Sequence, residues 1–401
     1  MTVGGPPGTA RTAIVHDWLV AYAGSERVLE QLLTLYPHAD LFAVADFLPA
    51  SERRFLGGRR PRTTFIQRMP LARSRHRAYL PLMPLAIEQL DLSGYDLVVS
   101  SSHAVAKGVL TGPDALHVCY CHSPLRYAWD LQHEYLRESG LGWGLRGLAA
   151  RWMLHRLRAW DVRSAAGVDH FVANSEFVAR RIRKAYRRRA RVIHPPVDVA
   201  AFAQPATACG DYYVTASRFV PYKRIPMIVE AFRAMPERTL IVIGDGPQRR
   251  EVARAAGSNV RLLGHVPAPE LAHWVAGARA FLFAGVEDFG IAPIEAQAAG
   301  TPVIAYAGGA LPETIRGLTA DEPSGVLYEE QSVAALQDAI ARFEAAGDRI
   351  SRAACRRNAE RFSVDRFRAT FGAYVERCLV RHRHRLSRGR PAGRVPVSAP
   401  A

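Results

Sequence analysis

The stretch Ala280-Phe281-Leu282-Phe283-Ala284-Gly285-Val286-Glu287-Asp288-Phe289-Gly290-Ile291-Ala292-Pro293-Ile294-Glu295-Ala296 passes from an apolar run through a glycine loop into the start of a helix. The four apolar residues read as a buried strand, Gly290 as a point of close backbone approach, and Pro293 as a residue suited to a helix's first turn. The same alternation recurs along nearly the whole chain and predicts parallel sheets built from βαβ units. In the first half, strand-like runs occur at residues 13–16, 41–45, 96–100, 116–121, 170–173 and 191–194. His194-Pro195-Pro196-Val197-Asp198 interrupts the series, because two consecutive prolines continue neither a helix nor a central strand, and residues 203–210 are small and loop-like. The alternation restarts at 212–216, 240–243, 260–263, 280–283, 303–306 and 325–328. The fold class is therefore α/β, with two doubly wound domains in tandem. Sheets of this kind bind ligands at the carboxyl ends of their strands, where a loop enters a helix N-terminus, so a cleft between the domains is the expected site.

The expected boundaries are a disordered N-terminus over 1–11, a first Rossmann-like domain over 12–205 and a second over 206–360. A C-terminal helix over 361–380 is expected to pack back toward the first domain, followed by a mobile basic tail over 381–401. The 401 residues, 49% of them hydrophobic, are ample for cores of this size. The net charge of +16 raises nucleic acid or an anionic membrane as a partner. Eight basic residues lie between Arg180 and Arg191 and seven between Arg377 and Arg394, with no acid in either stretch, which leaves 38 basic against 37 acidic residues elsewhere. The body is thus nearly neutral. Basic residues are not interleaved with aromatics, and no groove-reading helix is recognisable, so nucleic acid is not an expected partner.

Five cysteines, Cys119, Cys121, Cys209, Cys355 and Cys378, include no CxxC pair, which points to a reducing compartment and away from a structural metal. Cys119 and Cys121 share one face of a strand and read as core residues. The N-terminus lacks a signal peptide's apolar stretch, and no run reaches the roughly 18 apolar residues of a spanning helix, so a cytoplasmic protein, with peripheral membrane association open, is expected.

Glu295, carried near the start of its helix, is placed to accept two hydrogen bonds from a vicinal diol such as a ribose, or simply to favour a helix N-terminus. Glu287 lies eight positions earlier on the loop. In Ser217-Arg218-Phe219-Val220-Pro221-Tyr222-Lys223-Arg224, which follows the first strand of the second half, Arg218 offers a fork and Lys223 a point charge, as a diphosphate requires. Lysine is rare: Lys107, Lys184 and Lys223 stand against 50 arginines, which singles out Lys223 and Lys107. Gly244-Asp245-Gly246-Pro247 and Gly308-Gly309 supply two more glycine loops at strand ends. There is no P-loop, GxSxG, HExxH or DxD pair, and no GxGxxG follows the first strand at Val15-His16-Asp17-Trp18. That absence argues against a dinucleotide-dependent oxidoreductase.

Taken together, Arg218, Lys223, Glu287, Glu295 and Gly308-Gly309 resemble the donor half of the retaining glycosyltransferases of family 4, which have the GT-B fold of two Rossmann-like domains facing a central cleft. In the first half, His16-Asp17-Trp18, the loop Ala23-Gly24-Ser25-Glu26 and Cys121-His122-Ser123-Pro124-Leu125-Arg126-Tyr127 resemble the family's acceptor-side motifs. The likeness covers roughly 12–375. It departs at Ala23, where many relatives have a second glycine. The resemblance implies metal-independent transfer of a sugar from a nucleotide diphosphate donor to a hydroxyl, with retention and without a cofactor. It implies that Arg218 and Lys223 hold the diphosphate, that Glu287 binds the sugar and Glu295 the ribose, and that His122 lies beside the sugar. Gly24, Gly244, Phe289, Gly290 and Ile291 would complete the donor site, and His16, Asp17, Lys107 and Arg126 would face the acceptor.

The stretch from His122 to Trp129 resembles mannosyltransferases of surface-polysaccharide assembly, which makes GDP-mannose the first expectation and a UDP-hexose the second. A nucleotide-sugar epimerase of the same fold is the alternative. The acceptor would be a glycan or polyprenol-linked sugar. A helix over 146–163 gathers Ala149, Ala150, Met153, Leu154, Leu157 and Trp160 on one face between arginines, a pattern that fits a membrane interface and equally a helix packed on its own domain. The cluster from Arg180 to Arg191 likewise suits lipid phosphates or water.

Overall fold

The computed structural model describes residues 10–203 and 210–389. Expectations for 1–9, for 204–209 with Cys209, and for 390–401 lie outside the described residues. Seven parallel strands form the first sheet: β1 Thr12–Leu19, β2 Asp40–Asp46, β3 Arg62–Thr63, β4 Leu97–Ser102, β5 Leu116–Cys121, β6 His170–Ala173 and β7 Ala190–Val192, in the order β3-β2-β1-β4-β5-β6-β7. Six form the second: β8 Tyr212–Ala216, β9 Thr239–Ile243, β10 Val260–Gly264, β11 Ala280–Phe283, β12 Val303–Tyr306 and β13 Gly325–Tyr328, in the order β10-β9-β8-β11-β12-β13. In both sheets the first strand lies in the middle and the order reverses beside it. That reversal opens a crevice at the carboxyl ends of β1 and β4 in one sheet and of β8 and β11 in the other.

Strand alternation explains why both faces are apolar. Tyr213, Leu240, Val242, Leu282, Ile304 and Val326 pack on one side of the second sheet with the helices Ile225–Arg233 and Val333–Ala346. Val214, Ile241, Ile243, Phe281, Phe283, Val303 and Ala305 fill the other side. Near-continuous hydrophobic runs result, as sheets covered on both faces demand. Cys119 and Cys121 are both buried on β5.

The chain divides into two compact units, one formed by residues up to 172 with 183–190 and those from 368 onward, the other by 173–182 with 191–367. The diproline segment is therefore not a free linker ahead of a boundary at 205. The Val197 amide donates to the Phe362 carbonyl at 2.9 Å, and Val197 and Val199 sit in a cluster with Phe289, Ile294 and Phe362, so this segment is built into the second unit. The last helix, Val364–Gly389, belongs to the first unit from residue 368: Phe371 packs on Tyr120 and Arg368 donates to Gln31 at 2.8 Å. It corrects the expected tail, since residues 381–389 continue the helix. Arginine is a good helix former, and extending an existing helix costs no new nucleation.

The helix expected over 146–163 spans Gly144–Ala165, and the face expected at an interface is packed except at Ala149, which is exposed. Leu154, Leu157 and Trp160 join the first unit's core, with Ala150 and Met153 against it. Among the described residues no helix is long and apolar enough to cross a membrane.

Glycines set how closely the loops of the second sheet approach one another. Gly244 has φ +129, and a Cβ there would lie 1.9 Å from the Ser217 carbonyl oxygen. Gly244→Ala therefore meets both a backbone conformation reserved for glycine and a main-chain collision. A loss of about 2–4 kcal/mol is expected from urea unfolding; a variant with the parent's midpoint would show that the two loops separate freely.

Candidate functional site

Four loops leave the carboxyl ends of the adjacent strands β9, β8, β11 and β12, and each is tied to its neighbour through the backbone. The loop after β8 donates from Phe219 to the Asp245 carbonyl at 2.9 Å and receives a bond from the Gln248 amide at 3.2 Å. Gly285 lets the loop after β11 lie against Tyr222 and Lys223, where a Cβ would stand 3.2 Å from the Tyr222 carbonyl oxygen. Glu287 forms a bridge to Gly309, its carbonyl taking the Ala310 amide at 2.9 Å. Gly309, at φ +68, leaves no room for a Cβ, which would fall 2.2 Å from the same carbonyl oxygen.

This stitching brings Lys223 and Glu287 into an ion pair, with the ammonium 4.9 Å above the Phe283 ring and 5.5 Å from that of Tyr222. Arg218 is exposed on the same loop as Lys223. Gly290, at φ +88, starts the helix Ile291–Ala298, which carries Pro293 in its first turn and the buried Glu295 after it. Phe289 departs from the expected ligand-facing role as a side chain. It is 4% exposed, stacked on His194 and edge-on to Phe362, and so anchors the loop. Ile291 packs on the same cluster.

Two anchors were not anticipated. Asp288 is buried against Arg181, and its carbonyl accepts from Ser175 at 2.6 Å. Glu313 accepts the amides of Glu176 and Phe177 at 2.7 and 2.8 Å, capping the helix Glu176–Tyr186. Arg181 thus leaves the basic run that was read as facing lipid or water. Only its neighbours in space mark it as different.

In the first unit the sheet register sets His16 of β1 beside Ser101 of β4. His16 is fully buried, its Nδ1 3.1 Å from Ser101 Oγ and its Nε2 3.3 Å from Glu26 Oε1. Glu26 also accepts the Ala23 amide at 3.1 Å through Oε2, fixing the start of the helix Gly24–Leu35 at Gly24. Ala23 itself is extended, at φ −134, so the missing second glycine costs the backbone nothing here. His122 follows β5, with Nε2 2.9 Å from Ser101 Oγ. Burial, then the proximity of His103 and His16, pushes its pKa down to about 3. Arg126 is half-buried on the following loop, near enough to His103 to oppose its protonation.

Asp17 and Lys107 correct the expected acceptor-side contacts. Asp17 is fully buried and accepts the amides of His103, Ala104, Val105 and Ala106 at 2.6, 2.9, 2.6 and 2.7 Å, so all its lone pairs serve the turn after β4. Lys107 is turned inward onto Asp161 and Ser164, and Asp161 also receives Trp129 and Tyr186 at 2.8 and 2.9 Å. Their partners are 86–89 and 54–57 positions away, which no local pattern reports.

A family model described as Glycosyltransferase Family 4 matches residues 22–201, and one described as Glycosyl transferases group 1 matches 205–362. The chain belongs to the family 4 glycosyltransferases. Similar curated proteins include a D-inositol 3-phosphate glycosyltransferase of Jonesia denitrificans, 30% identical over 52% of this chain and 57% of the relative. Another is a GDP-mannose-dependent monoacylated alpha-(1-6)-phosphatidylinositol monomannoside mannosyltransferase of Corynebacterium glutamicum, 28% identical over 47% of this chain and 55% of the relative. The chain thus spans just over half the length of these relatives. Among solved structures, sucrose-phosphate synthase from Thermosynechococcus elongatus has a TM-score of 0.67 at 20% identity, covering 92% of this chain and 100% of that one. HepE of Anabaena, solved with UDP and glucose, has a TM-score of 0.64 at 16% identity, covering 92% and 100%. These likenesses establish the GT-B fold.

In this family 4 glycosyltransferase the Asp17 carboxylate has a measurable signature. Burial pushes its pKa up, but His103 and the amides of the turn outweigh that and hold it below the ordinary 3.8. A depressed folded-state pKa adds stability that is complete above the unfolded value and is lost as pH falls through the folded one. Asp17→Asn is expected to cost about 3 kcal/mol at pH 7 by urea unfolding, with the gap to the parent closing below about pH 4. A gap independent of pH would contradict the carboxylate's role.

Proposed function

We propose that this glycosyltransferase moves a hexosyl group, mannose from GDP-mannose in the first instance, onto a hydroxyl of a lipid-linked or glycan acceptor with retention of configuration. The observation that carries this reading is the Lys223–Glu287 pair, held on interlocked loops beside the exposed Arg218 at the strand-order reversal of the second sheet. A nucleoside diphosphate needs cations and main-chain donors, and a sugar needs a carboxylate to accept from its hydroxyls; these loops carry both. Arg218 and Lys223 neutralise the diphosphate in place of a metal, assisted by the N-terminus of the helix Ile291–Ala298. Glu287 orients the sugar, Glu295 accepts from the ribose, and His122 acts beside the sugar.

As the bond from the anomeric carbon to the phosphate oxygen breaks, its electron pair passes to the diphosphate. The acceptor oxygen bonds to the same face, and its proton goes to a donor phosphate oxygen. Cation and anion develop together, so fixed charges contribute more than a protein base. Arg218→Ala, Lys223→Ala and Glu287→Ala should each lower turnover at least about tenfold while the protein stays folded. GDP-mannose should raise the melting temperature more than UDP-sugars do. Parental rates in all three variants, or isomerised sugar nucleotide formed without acceptor, would overturn the reading.

The acceptor's lipid carrier is supported by the outer face of the helix Gly144–Ala165. Leu145, Leu148, Trp152 and Val162 are exposed along it, Trp143 just ahead is 94% exposed, and Arg146, Arg156 and Arg163 lie among them. Its only acid, Asp161, is buried. The helix, about 33 Å long, ends where Arg188 donates to the Ala165 carbonyl at 3.1 Å. There the two basic clusters meet: after burial, the charges of Arg385, Arg188 and His382 push the His170 pKa down against Asp169. Exposed tryptophans among arginines suit an anionic bilayer surface, such as the cytoplasmic leaflet. Vesicles containing phosphatidylglycerol should retain the parent about tenfold better than Trp143→Ser/Trp152→Ser. Equal retention, or preference for duplex DNA over vesicles, would overturn this.

A further inference from the structure

Glu26, His16, Ser101 and His122 form one hydrogen-bonded line through the first unit: 3.3 Å from Glu26 Oε1 to His16 Nε2, 3.1 Å from His16 Nδ1 to Ser101 Oγ, and 2.9 Å from Ser101 Oγ to His122 Nε2. Register builds it. His16 and Ser101 are paired across β1 and β4, and the His122 amide donates to the Ser102 carbonyl at 2.8 Å, which extends the pairing of β4 and β5 by one residue.

Proton counting orders the line. Burial pushes the Glu26 pKa up, but the His16 hydrogen bond and charge outweigh it and bring it to about 2, so Glu26 only accepts and His16 Nε2 must donate to it. Ser101 is fully buried, and among the described residues its hydroxyl bonds only the two imidazoles. One hydroxyl proton lies between two ring nitrogens. If both nitrogens carried protons the hydroxyl proton would be buried without an acceptor, and if neither did, a lone pair would face a lone pair; both are costly. Exactly one of His16 Nδ1 and His122 Nε2 is therefore protonated.

We propose that Ser101 couples the two histidines, so that the protonation of His16 selects which ring nitrogen of His122 bears its proton. With His16 neutral, Ser101 donates to His16 Nδ1 and accepts from His122 Nε2, leaving His122 Nδ1 as an acceptor. With His16 doubly protonated, both bonds of Ser101 reverse, the His16 Nε2 bond to Glu26 stays as it was, and His122 Nδ1 becomes the donor. His122 itself stays neutral in both states, because burial and its histidine neighbours oppose its charging. The groups around the line are His103, with its ring centroid 6.4 Å from each of the other two imidazoles, the Asp17 carboxylate 3.1 Å from His103 Nδ1, Tyr120 at 5.2 Å from His122, and Arg126 beyond His103. Glu26, His16 and Ser101 are thus positioning residues that act through His122. A tautomer held in advance spares reorganisation in a polar transition state. This consequence rests on the proposed transfer reaction; the coupling does not.

Long-range proton–nitrogen correlation spectra of the full chain with 15N-histidine test the coupling directly, using His122→Asn and His16→Gln for assignment among 14 histidines. One of the two nitrogens facing Ser101 should be protonated and the other bare, and Ser101→Ala should turn the single His122 tautomer into a mixture that Ser101→Thr restores. Two protonated nitrogens, two bare ones, or a His122 tautomer indifferent to Ser101→Ala would overturn the proposal. In donor turnover, Ser101→Ala should lower kcat about tenfold with little change in donor KM, and Ser101→Thr should recover it. An inactive parent with the expected spectra would refute the transfer reading alone, whereas an active parent and an equally active Ser101→Ala would refute the positioning role.

Discussion

A carbonyl oxygen decides what residue 244 can be. The Ser217 oxygen occupies space that any side chain at 244 would enter, and the same kind of encounter recurs between residue 309 and the Glu287 carbonyl. Between them, Gly285 admits the backbone of Tyr222 and Lys223. Four loops from four neighbouring strands are consequently locked at main-chain distance, which lets a lysine and a glutamate 64 positions apart in sequence meet as a pair. Side chains borne on rigid, mutually braced loops lose little freedom when they engage a ligand, which favours affinity and orientation together.

The two units repeat one plan with different chemistry. In each, the strand order reverses beside its first strand, and the polar residues gather at that reversal. The second unit places cations and glycine loops there. The first places neutral and paired groups: a carboxylate consumed by four amides, and three histidines linked or flanked by it. A loop capped by Asp17 is stiff, and that stiffness sets where His103 stands relative to His16 and His122. Buried polar networks of this type are costly unless their groups are paired, and here the Asp17 carboxylate and the Ser101 hydroxyl are both fully engaged.

Much of the fold was legible because a strand covered on both faces has to be apolar along its length. Strands β5, β6, β8, β11, β12 and β13 match the runs read from sequence residue for residue. The two-residue β3 is too short and too polar to register. Residues 381–389 carry charge without amphipathic period, and helical continuation there depends on the turns before them. For the candidate site, local motif chemistry singles out Lys223, Glu287, Gly290 and Glu295, and the fold sets the first two in a pair and the last two at the start of the helix Ile291–Ala298. Asp17 and Lys107 were misjudged because their partners lie far away in sequence, and Ser101 went unnoticed because a serine in a strand carries no signal until its two imidazoles are beside it. The helix Gly144–Ala165 has apolar residues on both faces, so periodicity alone pointed to the face that packs.

In the proposed reaction the braced loops of the second unit hold a sugar nucleotide. Hydrogen–deuterium exchange with and without saturating GDP-mannose reads this amide by amide. Slowed exchange concentrated at 217–224, 285–291 and 308–311 is the predicted result. Unchanged exchange in those three segments, with protection elsewhere or nowhere, would contradict it.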